Sequence, residues 1–413
     1  MVERLKSRLA RAREAAQSAR GPKSDPRLDA PKVLETSSSG QLPGWIQVAP
    51  FVLSRIVQRS NPLPKYLDLR PYLSSPQRKA IPEQVRGYPI DDSLIRLFPL
   101  ERILFLDLET TGLSGGAGTI AFLAGLGRVV SKQGTNGFEI RQFLLSDYPG
   151  ESAFLDSVLD AIKPDTVLAS YNGRSFDEPL LRTRCVLNRK NWPKHLHLDF
   201  LPAARRLWRK RFPDCSLGTL ETQMLGRKRC LDVPGARIPE IWFEYSKQGY
   251  HPLMEAVLEH NVADVESLAE IAAMCARVHT NPEEARDCDS TSLGSLWLKL
   301  EPNIGLFLLE RAFAEGDQKA GWILLHHFRR NGQLGDYRRI LGALSPSWLA
   351  WIEKAKDAEH RLRDPLKALE AALTAVPFTE KSKLREALKN RILRLNKKLE
   401  VKPPRGGHTI PPR

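Results

Sequence analysis

The stretch Arg102-Ile103-Leu104-Phe105-Leu106-Asp107-Leu108-Glu109-Thr110-Thr111-Gly112 constrains this chain more than any other. Its run of large apolar residues reads as a buried strand, and side chains two apart on a strand share a face. Asp107 and Glu109 therefore emerge together at the strand's end. Two carboxylates held side by side repel unless a cation lies between them. An all-oxygen donor set suits Mg²⁺ or Mn²⁺. The plainer account is that the two acids only cap a turn after the strand, a task Ser or Asn would meet without repulsion.

Composition sets the frame. Of 413 residues, 42% are hydrophobic and 27% charged, ordinary for a globular protein of two or three domains. Lys and Arg outnumber Asp and Glu by 63 to 48, leaving a net charge of +15, which favours a polyanionic partner such as nucleic acid. Basic tails serving solubility, or holding ribosomes or acidic lipids nonspecifically, would give the same balance. Cys185, Cys215, Cys230, Cys275 and Cys288 are odd in number and scattered. They suggest neither a disulfide framework nor a zinc ribbon, and a reducing cytoplasm fits them. His195 and His197 match no zinc spacing and read as ordinary residues. No apolar run approaches the roughly 20 residues needed to span a bilayer, and the charged start lacks a signal peptide's apolar core.

Read in order, residues 1–40 form a basic arm too poor in apolar side chains to fold alone. Residues 41–98 are a lead-in, apolar from Trp45 to Ile56 and then broken by Pro62, Pro64 and Pro71, expected to pack on the next domain. Over 99–280, Leu104 to Leu106, Thr119 to Val130 and Phe138 to Leu145 predict three consecutive strands, an antiparallel meander. The Gly112 to Gly118 stretch lacks the Gly-Lys-Ser/Thr ending of a phosphate-binding loop and reads as a turn. Helical spacing from Phe154 to Ile162, a short strand at Thr166 to Ala169, a helix at Leu180 to Leu187, a strand at His197 to Phe200 and helices at Ala203 to Trp208 and Leu253 to Met274 follow. This is an α/β order, a mixed sheet flanked by helices, as in a ribonuclease H-like fold. From 290 to 400 only helices are expected, at Ile304 to Ala314, Ala320 to Arg330, Tyr337 to Leu344, Trp348 to His360 and Pro365 to Ala375. Their pairing resembles tetratricopeptide-type hairpins, which either present a binding surface or simply cap the preceding domain. Residues 401–413 read as a disordered tail.

Two further acidic motifs follow the first. Tyr171-Asn172-Gly173-Arg174-Ser175-Phe176-Asp177-Glu178-Pro179 lies between a short strand and a helix, which puts Asp177 at a strand-to-helix corner. There Phe176 can bury as a wedge and Asn172 can hydrogen-bond the loop. Leu258-Glu259-His260-Asn261-Val262-Ala263-Asp264 lies in a helix, with His260 and Asp264 one turn apart on one face. Asp264 would complete a metal shell and His260 could take a proton from attacking water. Either motif alone would read as a helix cap or a surface pair.

Taken together, Asp107, Glu109, Asp177 and Asp264 resemble the DEDD superfamily of 3′-to-5′ exonucleases, with Asp-Leu-Glu-Thr-Thr-Gly-Leu as the first motif. Asp199-Phe200-Leu201-Pro202-Ala203-Ala204-Arg205-Arg206 and Ser216-Leu217-Gly218-Thr219-Leu220-Glu221 look like the YprB-type ribonuclease H-like group within it, and the helical C-terminal part looks like that group's tetratricopeptide-like extension. The resemblance covers about residues 100 to 275 and implies phosphodiester hydrolysis with two divalent cations, Mg²⁺ or Mn²⁺, held by the four acids. It also implies that Glu109 bonds the terminal 3′-hydroxyl. The chain departs from the family at the base. Members place Tyr four residues, or His five, before the last Asp, whereas His260 sits at the four-residue spacing. Tyr171, or water activated by the metals alone, is the alternative base.

Arg205, Arg206, Arg209, Lys210 and Arg211, with Trp208 and Phe212 between them, and then Arg227, Lys228 and Arg229, can hold a phosphate backbone while an aromatic stacks on a base. Equally, the aromatics can belong to the core and the charges to a solvated face. The expected substrate is single-stranded DNA or RNA, with Asn172, Phe176, Arg205, Arg206 and Arg209 contacting it, and the helical region can take a protein partner. A noncatalytic adaptor and a structure-specific endonuclease are the alternatives. An adaptor would have little reason to keep four mutually repelling carboxylates.

Overall fold

The computed structural model describes residues 42–73, 95–112, 118–132, 135–163, 166–227, 229, 233–379 and 381–400. The expected arm at 1–40 and tail at 401–413, and most of the Gly112 to Gly118 turn, lie outside them.

Strand β5 (Ile103–Thr110) forms from the apolar run and sits inside a sheet of seven strands among the described residues. Its neighbours are β6 (Ala121–Lys132), antiparallel, and β8 (Val167–Ser170), parallel. Strand β7 (Thr135–Leu145) continues the antiparallel meander beyond β6, and β9 (Leu196–Asp199) runs parallel to β8. The lead-in adds two antiparallel strands on the β7 side, β1 (Ile46–Ala49) and β2 (Val52–Ser60), so the spatial order is β1-β2-β7-β6-β5-β8-β9. A separate pair, β3 (Tyr66–Leu67) and β4 (Phe98–Pro99), ties the two ends of the lead-in together. Residues 46–60 thus extend the sheet. The period-2 alternation that makes this possible is interrupted by Arg55, Gln58 and Arg59, which hid the strand from a reading based on apolar runs.

Helices α1 (Glu151–Ala161), α2 (Asp177–Leu187) and α3 (Phe200–Trp208) follow β7, β8 and β9 in turn. A short α4 (Leu217–Leu220) continues as a π-turn to Leu225, then come α5 (Ile238–Gln248) and the long α6 (Met254–Thr280). Ile103 and Phe105 pack with α3 and the later part of α6, whereas Leu104, Leu106 and Leu108 pack with α1, α5 and the start of α6. The sheet is therefore covered on both faces, as parallel strands require.

An all-helical region follows: α7 (Ser290–Leu300), α8 (Pro302–Ala314), α9 (Gln318–Arg330), α10 (Leu334–Ala343), α11 (Trp348–His360), α12 (Pro365–Thr374) and α13 (Ser382–Glu400). Left-handed glycines Gly316 (φ +100°) and Gly332 (φ +71°) end α8 and α9 at the expected breaks. Helix α7 joins the core of the sheet domain through Leu293 and Trp297, so the two regions share a continuous interior. Helices α5 and α7 were not among the expected ones, although α5 buries Ile238, Ile241, Trp242 and Tyr245 at helical spacing; α13 buries only Leu388 and Leu395. What secures α13 is Glu359 on α11. Its side chain is 1% exposed and receives Arg391 (2.7 Å), Arg394 (2.8 Å) and Lys398 (2.7 Å). Glu359→Ala should cost about 2 kcal/mol by leaving these cations without their partner. It should also speed amide exchange across residues 382–400; unchanged exchange there would mean that Leu388 and Leu395 suffice.

Candidate metal centre

The parity of β5 carries Asp107 and Glu109 onto the face already used by Ile103 and Phe105, toward α6. There α6 presents His260 and Asp264. His260 Nε2 lies 3.4 Å from Asp264 Oδ2 and 3.9 Å from Glu109 Oε1. One ligand atom from each of Glu109, His260 and Asp264 falls within 4.8 Å of the others. Asp177 opens α2, just past the C-terminal end of β8, and its charge reaches both Asp107 and Glu109. Glu109, His260 and Asp264 thus cluster, with Asp107 and Asp177 within electrostatic range of them, beyond the carboxyl ends of two adjacent parallel strands, where open α/β sheets place their sites.

The electrostatics divide the set. Asp107 is held well above the usual carboxylate range, first by burial and then by the charges of Asp264, Glu109 and Asp177. Burial pushes Glu109 up to about 8, with Asp264 and Asp177 adding to it and His260 and Arg229 opposing it. Asp177 is pushed up to about 7 by burial and by Asp199. Burial also acts on Asp264, but the hydrogen bond from His260 together with the contact and charge of Arg229 outweighs it and holds that carboxyl low. Asp107 and Asp177 are thus raised by burial and by negative neighbours, while Glu109 keeps only the partial opposition of His260 and Arg229. A divalent cation fits this donor set of carboxylate oxygens and one imidazole.

Buried polar contacts fix each acid in place. Asn261, fully buried on α6, donates to Asp107 Oδ2 (2.8 Å). Its own oxygen receives Gln142 Nε2 of β7 (2.8 Å), and Gln142 in turn accepts from Arg55 of β2 (2.7 Å), which also grips Glu255 and Glu259 of α6. Gly125 stands opposite Asp107 on β6; a Cβ there would come within 2.3 Å of Asn261 Oδ1. The Asp177 loop rests on a buried relay in which Ser170 Oγ lies 2.7 Å from His197 Nε2 and Glu178 Oε2 lies 2.7 Å from His197 Nδ1. Serine, histidine and acid in this order resemble a hydrolytic triad. Yet Ser170 is fully buried and also accepts the Gly173 N–H (3.1 Å), so the relay shapes the turn. A Cβ on Gly173 would meet Asp177 Oδ2 at 2.6 Å. His197→Ala should cost about 2 kcal/mol by stranding Ser170 and Glu178. It should also weaken Mn²⁺ binding through Asp177, and unchanged Mn²⁺ affinity would show that the loop holds itself.

Residues 104–276 match the model of the RNase_H superfamily. The chain is also 32% identical over 316 residues to the uncharacterized protein YprB of Bacillus subtilis (strain 168), covering 72% of this chain and 75% of YprB. The chain belongs to the RNase H superfamily, in the family of YprB. That membership supports a hydrolase acting on nucleic acid.

Around this RNase H-like centre the other nominated residues are placed unevenly. Phe176 is 55% exposed beside Asp177 and does not bury as a wedge, because the buried support of that loop comes from Ser170 and His197. Asn172 takes a left-handed backbone (φ +69°) and its N–H donates to Asp199 Oδ1 (2.8 Å). Tyr171 donates its hydroxyl to the Cys215 carbonyl, which commits the alternative base elsewhere. Arg205 and Arg209 are exposed, whereas Arg206 is half-buried and donates to the Pro71 carbonyl (3.1 Å). Trp208 is buried and Phe212 packs against the core, so neither is available to stack on a base from this segment. Lys210 pairs with Asp289 (3.2 Å) and Asp317 (3.1 Å), joining the sheet domain to the helical region. Cys185, Cys215, Cys275 and Cys288 are free thiols, Cys230 and Lys228 lie outside the described residues, and no described helix is long and apolar enough to cross a membrane.

Sequence reasoning did not single out Asn261, Gln142, Glu221 or the role of Arg229. Gln142 left one signal, a lone amide immediately before Phe143-Leu144-Leu145 in a strand. Glu221 stands in a family-like motif and Arg229 in a basic cluster, but neither signals that the two meet, because that depends on the path of the chain after α4.

Proposed function

We propose that this chain is a metal-dependent 3′-to-5′ exonuclease of the DEDD type, hydrolysing phosphodiester bonds of single-stranded DNA or RNA in the cytoplasm. The observation that carries the reading is the gathering of Glu109, His260 and Asp264 within 4.8 Å, with Asp107 and Asp177 close enough for their charges to act on the same group. Two cations, Mg²⁺ or Mn²⁺, would ease deprotonation of water and offset charge on the leaving oxygen. Asp107, Glu109, Asp177 and Asp264 would hold them. His260, on the same face as Asp264, is the candidate to receive the water's proton, and Glu109 the candidate partner of the terminal 3′-hydroxyl. Exposed Phe176 is placed to stack on the terminal base, with Arg205 and Arg209 following the backbone. The helical pairs from α7 onward are proposed as a tetratricopeptide-like surface for a protein partner.

The test is incubation of the full chain with 3′-labelled single-stranded DNA and RNA in Mg²⁺, Mn²⁺ or chelator. Stepwise loss of the labelled end, stopped by chelator, is expected. Cleavage of an end-blocked strand would point to an endonuclease. Binding without cleavage in every metal would sink the hydrolase reading in favour of an adaptor.

A further inference from the structure

We propose that Arg229 is a resident counter-ion of the acid centre that yields Asp264 to a divalent cation and, still tethered to Glu221, then turns its guanidinium to the substrate phosphate. The phosphate half rests on the nuclease reading; the cation half does not.

One edge of the guanidinium is anchored. Nε donates to Glu221 Oε2 (3.0 Å) and Nη2 to Glu221 Oε1 (2.6 Å), a fork on a carboxylate that is itself buried and hydrogen-bonded by Ser267 Oγ. Arg227 braces the same segment on α6 through Glu266 (3.1 Å) and Glu270 (2.6 Å). The other edge occupies the site. Nη2 also donates to Asp264 Oδ1, and Nη1 lies 3.0 Å from His260 Nδ1.

That second contact has a chemical consequence. Arginine has no acceptor, so His260 Nδ1 must be the ring's unprotonated nitrogen, as assigned from the hydrogen-bond network. The ring hydrogen is then on Nε2, which faces Asp264 and Glu109. A nitrogen that carries a hydrogen cannot accept one. While Arg229 remains on Nδ1, His260 cannot take water's proton at Nε2. The same guanidinium places a full positive charge against Asp264, where it competes with an incoming cation.

Base readiness therefore requires Arg229 to leave His260, and a cation that takes Asp264 through Oδ1 requires it to leave that oxygen as well. The Glu221 fork keeps it at the rim when it does. A planar guanidinium with one edge anchored and one edge free is suited to a bidentate phosphate contact, which a lysine could not reproduce.

The experiment titrates Mn²⁺ by electron paramagnetic resonance into full-length wild type, Arg229→Gln and Arg229→Lys, without substrate. A nucleoside 5′-monophosphate is then titrated into each at saturating Mn²⁺, with thermal melting as the folding check. Arg229→Gln should bind Mn²⁺ about tenfold more tightly, since a like charge is removed, and the monophosphate about tenfold more weakly. Arg229→Lys keeps the charge and loses the fork. It should hold Mn²⁺ affinity near wild type while sharing the monophosphate defect; if the Gln variant fails to fold, it carries the phosphate half and the neutral Arg229→Met carries the cation half. Unchanged or weaker Mn²⁺ binding in Arg229→Gln would overturn the proposal, making Arg229 a support for Asp264. Tighter Mn²⁺ with unchanged monophosphate binding would overturn its phosphate half. Failure of the wild type to cleave any oligonucleotide would defeat the nuclease reading and leave the Mn²⁺ result to decide the rest.

Discussion

Asp107→Asn should reduce hydrolysis by about 10³-fold or more, because loss of one ligand from a cation site removes several kcal/mol of charge stabilisation. The same change should make the metal-free protein more stable. Asp107, Glu109 and Asp177 all have folded-state pKa values raised above their ordinary ones. A carboxyl raised in this way binds more protons folded than unfolded. Its contribution therefore turns against folding as pH rises from the ordinary carboxylate range, near 4, toward the about 7 and about 8 of Asp177 and Glu109. Metal-free wild type should lose thermal stability across that window. Mn²⁺ should restore it at pH 8 by binding the folded form. Asp107→Asn should raise the metal-free midpoint at pH 8 by about 1–3 °C, and its amide oxygen can still accept from Asn261. A variant that melts lower than wild type without metal, or that turns over normally, would show that Asp107 is not one of a repelling set.

Gly125→Ala should damage both stability and turnover through a single methyl group. The added Cβ would lie 2.3 Å from Asn261 Oδ1 and 2.8 Å from Val265 Cγ2, inside any permitted contact. Overpacking of this kind costs about 1–3 kcal/mol. The strand cannot yield easily, since Gly125 pairs with Asp107 on one side and Gln142 on the other, so α6 has to move. A displacement near 1 Å of His260 and Asp264 should lower turnover about 10²-fold. Adding Asn261→Ala should recover part of the stability by removing the clashing oxygen, but not the turnover, because Asp107 then loses its donor. Equal losses in the single and double variants would place the obstruction elsewhere.

How much of this could be read beforehand depended on whether the information was local. Asp107 and Glu109 were legible because a two-residue repeat in an apolar run fixes which side chains share a face, and the four-residue step from His260 to Asp264 works similarly on a helix. The meander, the parallel strands after it and most of the later helices followed from the same periodicities. Strand β2 and helix α13 were not legible, because their charged residues are satisfied by partners far along the chain. Arg55 is held by Glu255, Glu259 and Gln142, and Arg394 by Glu359. Trp208, which the sequence left open between base stacking and the core, belongs to the core. Flanking arginines suggested a surface, but their long side chains lie outward while the indole fills the interior beneath.

The chain of contacts from Arg55 through Gln142 and Asn261 to Asp107 sets a limit on dissection. A fragment trimmed to the superfamily match alone would keep every carboxylate yet sever the brace that begins near residue 45, exposing the flank of β7 and unmooring α6. A piece that keeps this brace therefore starts well upstream of the four carboxylates, near the Trp45 ring on which Arg55 lies.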